Sequence, residues 1–153
     1  MVTACIAQTL PEETISVSEE AWARLAALRR EPKFIPHSYP PLGYTGADTP
    51  EDLQPLTQIV NEAIDQVLVL KSNRLSTSLA RPPLRRAAAR IDGFATEDRD
   101  RVWGYLVEVW YILGFHTPLF VSNYGAAFEA PDGYSEPLPP GWSAPDKPRL
   151  IGS

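Results

Sequence analysis

Apolar residues recur along much of this chain at the spacing of helices rather than of strands. Trp22, Leu25 and Leu28 form a first stripe. It follows Ser16-Val17-Ser18-Glu19, which reads as a capping box, and precedes Arg29-Arg30 and Pro32, so a short helix is expected to end near Arg30. A second stripe, Leu53, Leu56, Val60, Ala63, Ile64 and Val67, keeps the 3.6-residue period to about Leu70. Asp48-Thr49-Pro50-Glu51-Asp52 starts it, with a capping residue, an early proline and acidic groups at the positive end. Lys71-Ser72-Asn73 suggests a break and Pro82-Pro83 punctuates the chain. Leu84, Ala87, Ala88 and Ile91 then predict a short third helix that stops at Gly93.

The longest such stretch runs from Thr96 to Phe115. Thr96 reads as its cap, Glu97, Asp98 and Asp100 as helix-start charges, and Gly114 as its stop. Val102, Leu106, Val109 and Leu113 make one stripe, and Trp103, Val107 and Trp110 a second. Two stripes predict burial against more than one neighbour, and hence a central helix. His116-Thr117-Pro118 leads into Leu119–Tyr124, which fits a short helix or a strand.

Prolines break this pattern at both ends of the loop scale. Between Glu31 and Ala47, four prolines and two glycines exclude regular structure, while Phe34, Ile35, Tyr39, Leu42 and Tyr44 predict a loop packed across the helices. From Ala130 to Leu150, six more prolines predict an extended or polyproline-like tail, with Leu138, Trp142 and Leu150 as apolar anchors. The expected fold class is all-α: a single domain over 1–153, a bundle of four to five helices within 16–125, and a proline-rich extended C-terminal tail over 126–153 packed on it.

Composition changes this picture little. With 153 residues, 44% hydrophobic and 22% charged, the chain suits one globular domain. A formal charge of −5 argues against nucleic acid as partner. The basic cluster from Arg81 to Arg90 reads as a solvated helix face, with an anionic-ligand patch as the alternative. The lone Cys5 excludes an internal disulfide, the N-terminus makes a poor secretory signal, and no run is long enough to span a bilayer, so a cytoplasmic protein with no membrane partner is expected.

Chemistry is sparse. The histidines are His37 and His116, Cys5 lies in an N-terminal arm, and there is no nucleophile elbow, zinc-ligand spacing, glycine-rich phosphate loop or EF-hand. No cofactor, metal site or catalytic residue is therefore expected. Glu108 stands out, flanked by Val107 and Val109. A buried carboxylate there would point to a functional site. The alternative, a narrow surface stripe shared with Gly104 and Tyr111, is preferred. Leu138-Pro139-Pro140-Gly141-Trp142 copies the opening of a WW domain, but too few residues follow to build that sheet, so Trp142 reads as an anchor for the tail.

Pro32-Lys33-Phe34 after the first helix, the Leu56–Leu68 amphipathic stretch, and Thr96-Glu97-Asp98-Arg99-Asp100-Arg101 leading into Tyr105, Glu108 and Ile112-Leu113-Gly114 belong together. In these the chain resembles a bacterial all-helical family catalogued as a domain of unknown function (4844). The resemblance implies an all-helical fold and brings no catalytic residues. Small size, acidity and the aromatic-proline segments 34–44 and 131–142 lead to a protein-binding module of the immunity or antitoxin type, neutralising a protein partner such as a toxin or effector. Its candidate binding residues are Tyr39, Tyr44, Glu108, Tyr134 and Trp142. The alternative is a small-molecule-binding or enzymatic domain with a pocket near Trp103, Glu108, Tyr111 and His116.

Overall fold

The structure, a computed structural model, describes residues 10–36, 44–117 and 119. Four helices make its body: α1 (Glu19–Arg30), α2 (Leu53–Leu68), α3 (Thr77–Ala88) and α4 (Thr96–Leu113). A 3-10 turn at Pro50–Asp52 leads into α2. Two short strands, β1 (Thr14–Ile15) and β2 (Leu75–Ser76), pair antiparallel, with Thr14 opposite Ser76 and Ile15 opposite Leu75. The all-α bundle read from the sequence is thus present. Of the Leu119–Tyr124 piece the structure describes Leu119 alone, which is buried; the rest of it and the proline-rich tail lie outside the described residues.

Helix α1 starts where the Ser18 side chain accepts the Ala21 amide at 3.0 Å, with Glu19 and Glu20 in its first turn and Arg29 and Arg30 in its last. Its C-terminal end is closed in an unexpected way. Lys33 is buried, and its ammonium donates to the carbonyls of Leu28, Arg29 and Glu31 at 2.5, 3.3 and 3.0 Å. A cation there satisfies orphan acceptors and complements the negative end of the helix.

The core joins Trp22, Leu25 and Leu28 of α1 to Leu56, Val60, Ala63, Ile64 and Val67 of α2, Ala80 and Leu84 of α3, and both stripes of α4. Ile59, absent from the expected stripe, is buried, whereas Leu53 at the first position of α2 is exposed. Both α2 and α4 touch all three other helices, so the central place expected for α4 is shared with α2. Trp103 is half-buried, while Val107 and Trp110 of its stripe are buried.

The expected third helix began after Pro82-Pro83. In the structure α3 begins earlier, at Thr77, and both prolines lie inside it. The Ser76 side chain caps it by accepting the Leu79 amide at 3.3 Å. The missing amides of Pro82 and Pro83 would have bonded to the carbonyls of Ser78 and Leu79, four residues back. Both of those residues are exposed, where water can meet a carbonyl, and Pro83, Leu84 and Ala87 are buried against the core. Tertiary packing therefore outweighs helix propensity here. Ala95, not Thr96, is the N-cap of α4, and no side chain caps it; at the other end Gly114, with φ 102°, closes the helix in the left-handed region.

An interior proline disfavours a helix by about 3 kcal/mol relative to alanine. Pro82 is half-buried, so Pro82→Ala is expected to raise the stability, by ~1–3 kcal/mol in urea unfolding. A lower midpoint would show that the ring of Pro82 contributes more by packing than its missing amide costs.

Candidate functional site

Spacings of three, four and three residues put Asp98, Arg101, Tyr105 and Glu108 on one face of α4. The two described stretches between α1 and α2, residues 31–36 and 44–52, meet that face through Phe34, Tyr44 and Asp48, and the contacts are polar as well as apolar. The Asp98 carboxylate, 1% exposed, accepts the Tyr44 hydroxyl at 2.6 Å and the Asp48 amide at 3.0 Å. It is more than a helix-start charge: it clasps the returning end of the segment to α4. Burial, and then the hydrogen bond to Asp98, push the Tyr44 hydroxyl well above its ordinary range, so it remains a proton donor.

At the other end of the segment, Phe34 donates its amide to the Tyr105 hydroxyl at 3.3 Å and accepts the Ala47 amide on its carbonyl at 3.2 Å. Phe34 has φ 60°, a left-handed conformation that costs a non-glycine residue roughly 1–2 kcal/mol. Its ring is buried 5.1 Å from that of Tyr105 and 6.4 Å, edge-on, from that of Tyr44. Fully burying a phenylalanine is worth about 1.5–3 kcal/mol, enough to hold the strain. The Arg101 guanidinium lies 3.8 Å from the centre of the Tyr105 ring.

A second polar cluster joins the N-terminal arm to the turn after α4. One oxygen of the Glu13 carboxylate accepts the amides of His116 and Thr117 and the Thr117 hydroxyl at 2.9, 3.0 and 3.0 Å. The other lies 2.9 Å from His116 Nδ1. Desolvation raises the Glu13 pKa, but these hydrogen bonds, led by the Thr117 amide, outweigh it and hold the group below its ordinary 4.5. The same turn is held from inside: Trp110 Nε1 donates to the Thr117 carbonyl at 2.7 Å, and Arg81 Nε to that of Leu119 at 2.8 Å.

The model of a family described as a domain of unknown function (DUF4844) matches residues 16–118. The chain belongs to this family. No curated protein and no solved structure matches it. The DUF4844 match spans all four helices and the whole α4 face, with Lys33, Phe34, Tyr44, Asp98, Tyr105 and Glu108 inside it.

Of the expected binding residues, Tyr44 and Glu108 both belong to this region. Tyr39, Tyr134 and Trp142 lie outside the described residues, as do His37 and Cys5. The preferred surface-stripe reading of Glu108 is overturned: the residue is 4% exposed, and Gly104 and Tyr111 are half-buried. Glu108 shares the face of Tyr105 and Asp98 instead of lying along an outer stripe. Trp103 and Tyr111 are half-buried, whereas the His116 side chain is 88% exposed and turned to Glu13, so it is not the wall of a buried pocket.

The basic cluster also divides. Arg86 and Arg90 reach across to Gln66 and Glu62 of α2 and Arg85 is exposed, but Arg81 is buried with its guanidinium 5.0 Å from the Trp110 ring centre. Burial lowers the Arg81 pKa, as does the like charge of Arg85. Among the described residues no group of three or more His, Cys, Asp or Glu could hold a metal ion, and no helix is long and apolar enough to cross a membrane.

Lys33, Asp98, Tyr105 and Glu13 organise the structure without standing out in the sequence for that role. The 98–101–105–108 spacing was a usable signal for the α4 face; nothing local marks Glu13.

Tyr44→Phe leaves the buried Asp98 carboxylate with one partner fewer, and is expected to destabilise the fold by about 1–3 kcal/mol in denaturant unfolding. Glu13 has a folded-state pKa below its ordinary 4.5, so its contribution is fully present above that value and is lost as pH falls through the folded one. The stability gap between wild type and Glu13→Gln should be widest above pH 4.5 and close on further acidification. A gap independent of pH would mean that the carboxylate's charge plays no part.

Proposed function

We propose that this DUF4844 protein is a small acidic protein-binding module of the bacterial cytoplasm, of the immunity or antitoxin type, which neutralises a partner by covering a basic surface. One observation carries this reading. The Asp98 clasp fixes the start of α2 beside the start of α4, so that exposed Asp48, Glu51, Glu97 and Asp100 share one end of the bundle. Half-buried Asp52 belongs to the same turn, and Arg101 is folded back over Tyr105. Concentrated negative charge speeds encounter with a basic partner and selects against acidic ones. Lys33, Asp98, Arg81 and Glu13 meanwhile are committed to internal tethers that hold helix ends and loops in place.

A second reading rests on Glu108. A carboxylate 4% exposed on a helix face that also carries Asp98, Arg101 and Tyr105 is the arrangement from which a small-molecule site or an acid–base site is built. On that reading Glu108 is the polar group of a ligand pocket.

Tagged full-length chain, passed over a bacterial lysate, is expected to retain a basic protein that is released as salt rises and is lost with Asp48→Asn/Glu51→Gln/Glu97→Gln. Retention of no protein, combined with heat stabilisation by a metabolite that Glu108→Gln abolishes, would reverse the order of the two readings.

A further inference from the structure

The arm 10–15 is held as a bound peptide is held, by elements far from it in sequence. Its strand β1 adds to β2, and the Glu13 backbone continues the pairing, its carbonyl accepting the Thr77 amide at 2.8 Å and its amide donating to Thr77 Oγ1 at 3.0 Å. Two successive carboxylates then find separate receptors. Glu12 accepts the hydroxyls of Thr77 and Ser78 at 2.8 and 3.0 Å, at the N-terminal end of α3. Glu13 sits on the consecutive amides of His116 and Thr117, with the Thr117 hydroxyl and His116 Nδ1 closing the notch.

Strand addition for affinity, with side-chain receptors for specificity, is the usual way in which an extended peptide is recognised, and successive amides make an anion-binding concavity. Thr77 is buried and uses its hydroxyl both to accept from Glu13 and to donate to Glu12, so it reads the backbone and the first carboxylate together. The apolar contact is made by Ile15, which is half-buried, packs against the core and reaches to 3.8 Å from where a β-carbon would stand on Gly114. Ile15 anchors the segment, and the two carboxylates, each with its own set of donors, supply the charge selectivity.

We propose that the groove formed by Leu75–Ser78 and His116–Thr117 is a docking site for an extended segment with two adjacent carboxylates, and that the chain's own Leu10–Ile15 arm is its resident, autoinhibitory occupant. The site is separate from the acidic end of the bundle and does not depend on the function proposed above. Linked in cis, the arm has an effective concentration in the millimolar range, so a partner's segment must either bind more tightly or arrive when the arm is drawn away.

The test is amide hydrogen exchange on the full chain with Glu12→Gln/Glu13→Gln. Exchange at Thr77, His116 and Thr117 is expected to rise about tenfold or more, the loss of charged hydrogen bonds, while α1 and α2 stay protected. A synthetic Leu-Pro-Glu-Glu-Thr-Ile peptide at millimolar concentration should restore that protection, and its Gln-Gln counterpart should not. Unchanged exchange in the variant would show that the carboxylates do not hold the arm; equal rescue by both peptides would show that the groove does not select them. Either result overturns the proposal. So does dimerisation of the wild-type chain with these amides protected, which would give the groove to the arm of a second copy. If α1 and α2 lose protection as well, Ser78→Ala removes one exposed hydroxyl from the Glu12 receptor, and the same peptide comparison decides.

Discussion

A crossing between two helices has to place backbone polar groups against a helix surface that has none to spare. Here the described ends of the segment from α1 to α2 meet α4, and a carboxylate and a hydroxyl on α4 take up their amides. Asp98 accepts from Asp48 and from the Tyr44 side chain, and Tyr105 accepts from Phe34. Without those acceptors the crossing would bury donors unpaired, at about 1–3 kcal/mol each. Lys33 meets the converse need, supplying donors to the last carbonyls of α1 just before the crossing begins. The position of α2, and with it the acidic end of the bundle, follows from how this one segment is satisfied.

The same logic explains why the family-like stretches stand where they do. Pro32-Lys33-Phe34 closes α1 and anchors the crossing; Asp98 and Tyr105 receive it. The motif around Thr96–Arg101 looked like helix-start chemistry because Asp98 occupies the third position of α4, where a carboxylate is at home for local reasons as well. Local and tertiary roles coincide in one side chain, so the sequence shows the first and hides the second.

Periodicity made the helices legible: α1, α2 and α4 stand within a few residues of their expected limits, because an apolar stripe and its end signals are local. Pro82-Pro83 misled for the same reason. Local preference places prolines at a helix start, but Ser76 caps the chain six residues earlier, and burial of Pro83 and Leu84 carries the helix through them. Glu108 misled because a helical wheel shows which residues share a face and not what covers it. Glu13 was illegible outright, since the partners of its carboxylate are more than 100 residues away and three of that carboxylate's four contacts are with groups of the backbone or hydroxyl type found everywhere.

The two prolines inside α3 also bear on how fast the chain reaches this structure. Helical geometry requires the peptide bonds before Pro82 and Pro83 to be trans, whereas each prolyl bond in an unfolded chain is cis in roughly 10–30% of molecules. A sizeable share of unfolded chains therefore carries a wrong isomer in the middle of α3, and α3 packs on α2 and on α4. Isomerisation takes tens to hundreds of seconds, far longer than a helix takes to form. Those molecules must wait for α3 before the core is complete. The residues that let water meet two idle carbonyls in the native helix thus set a clock on its renewal.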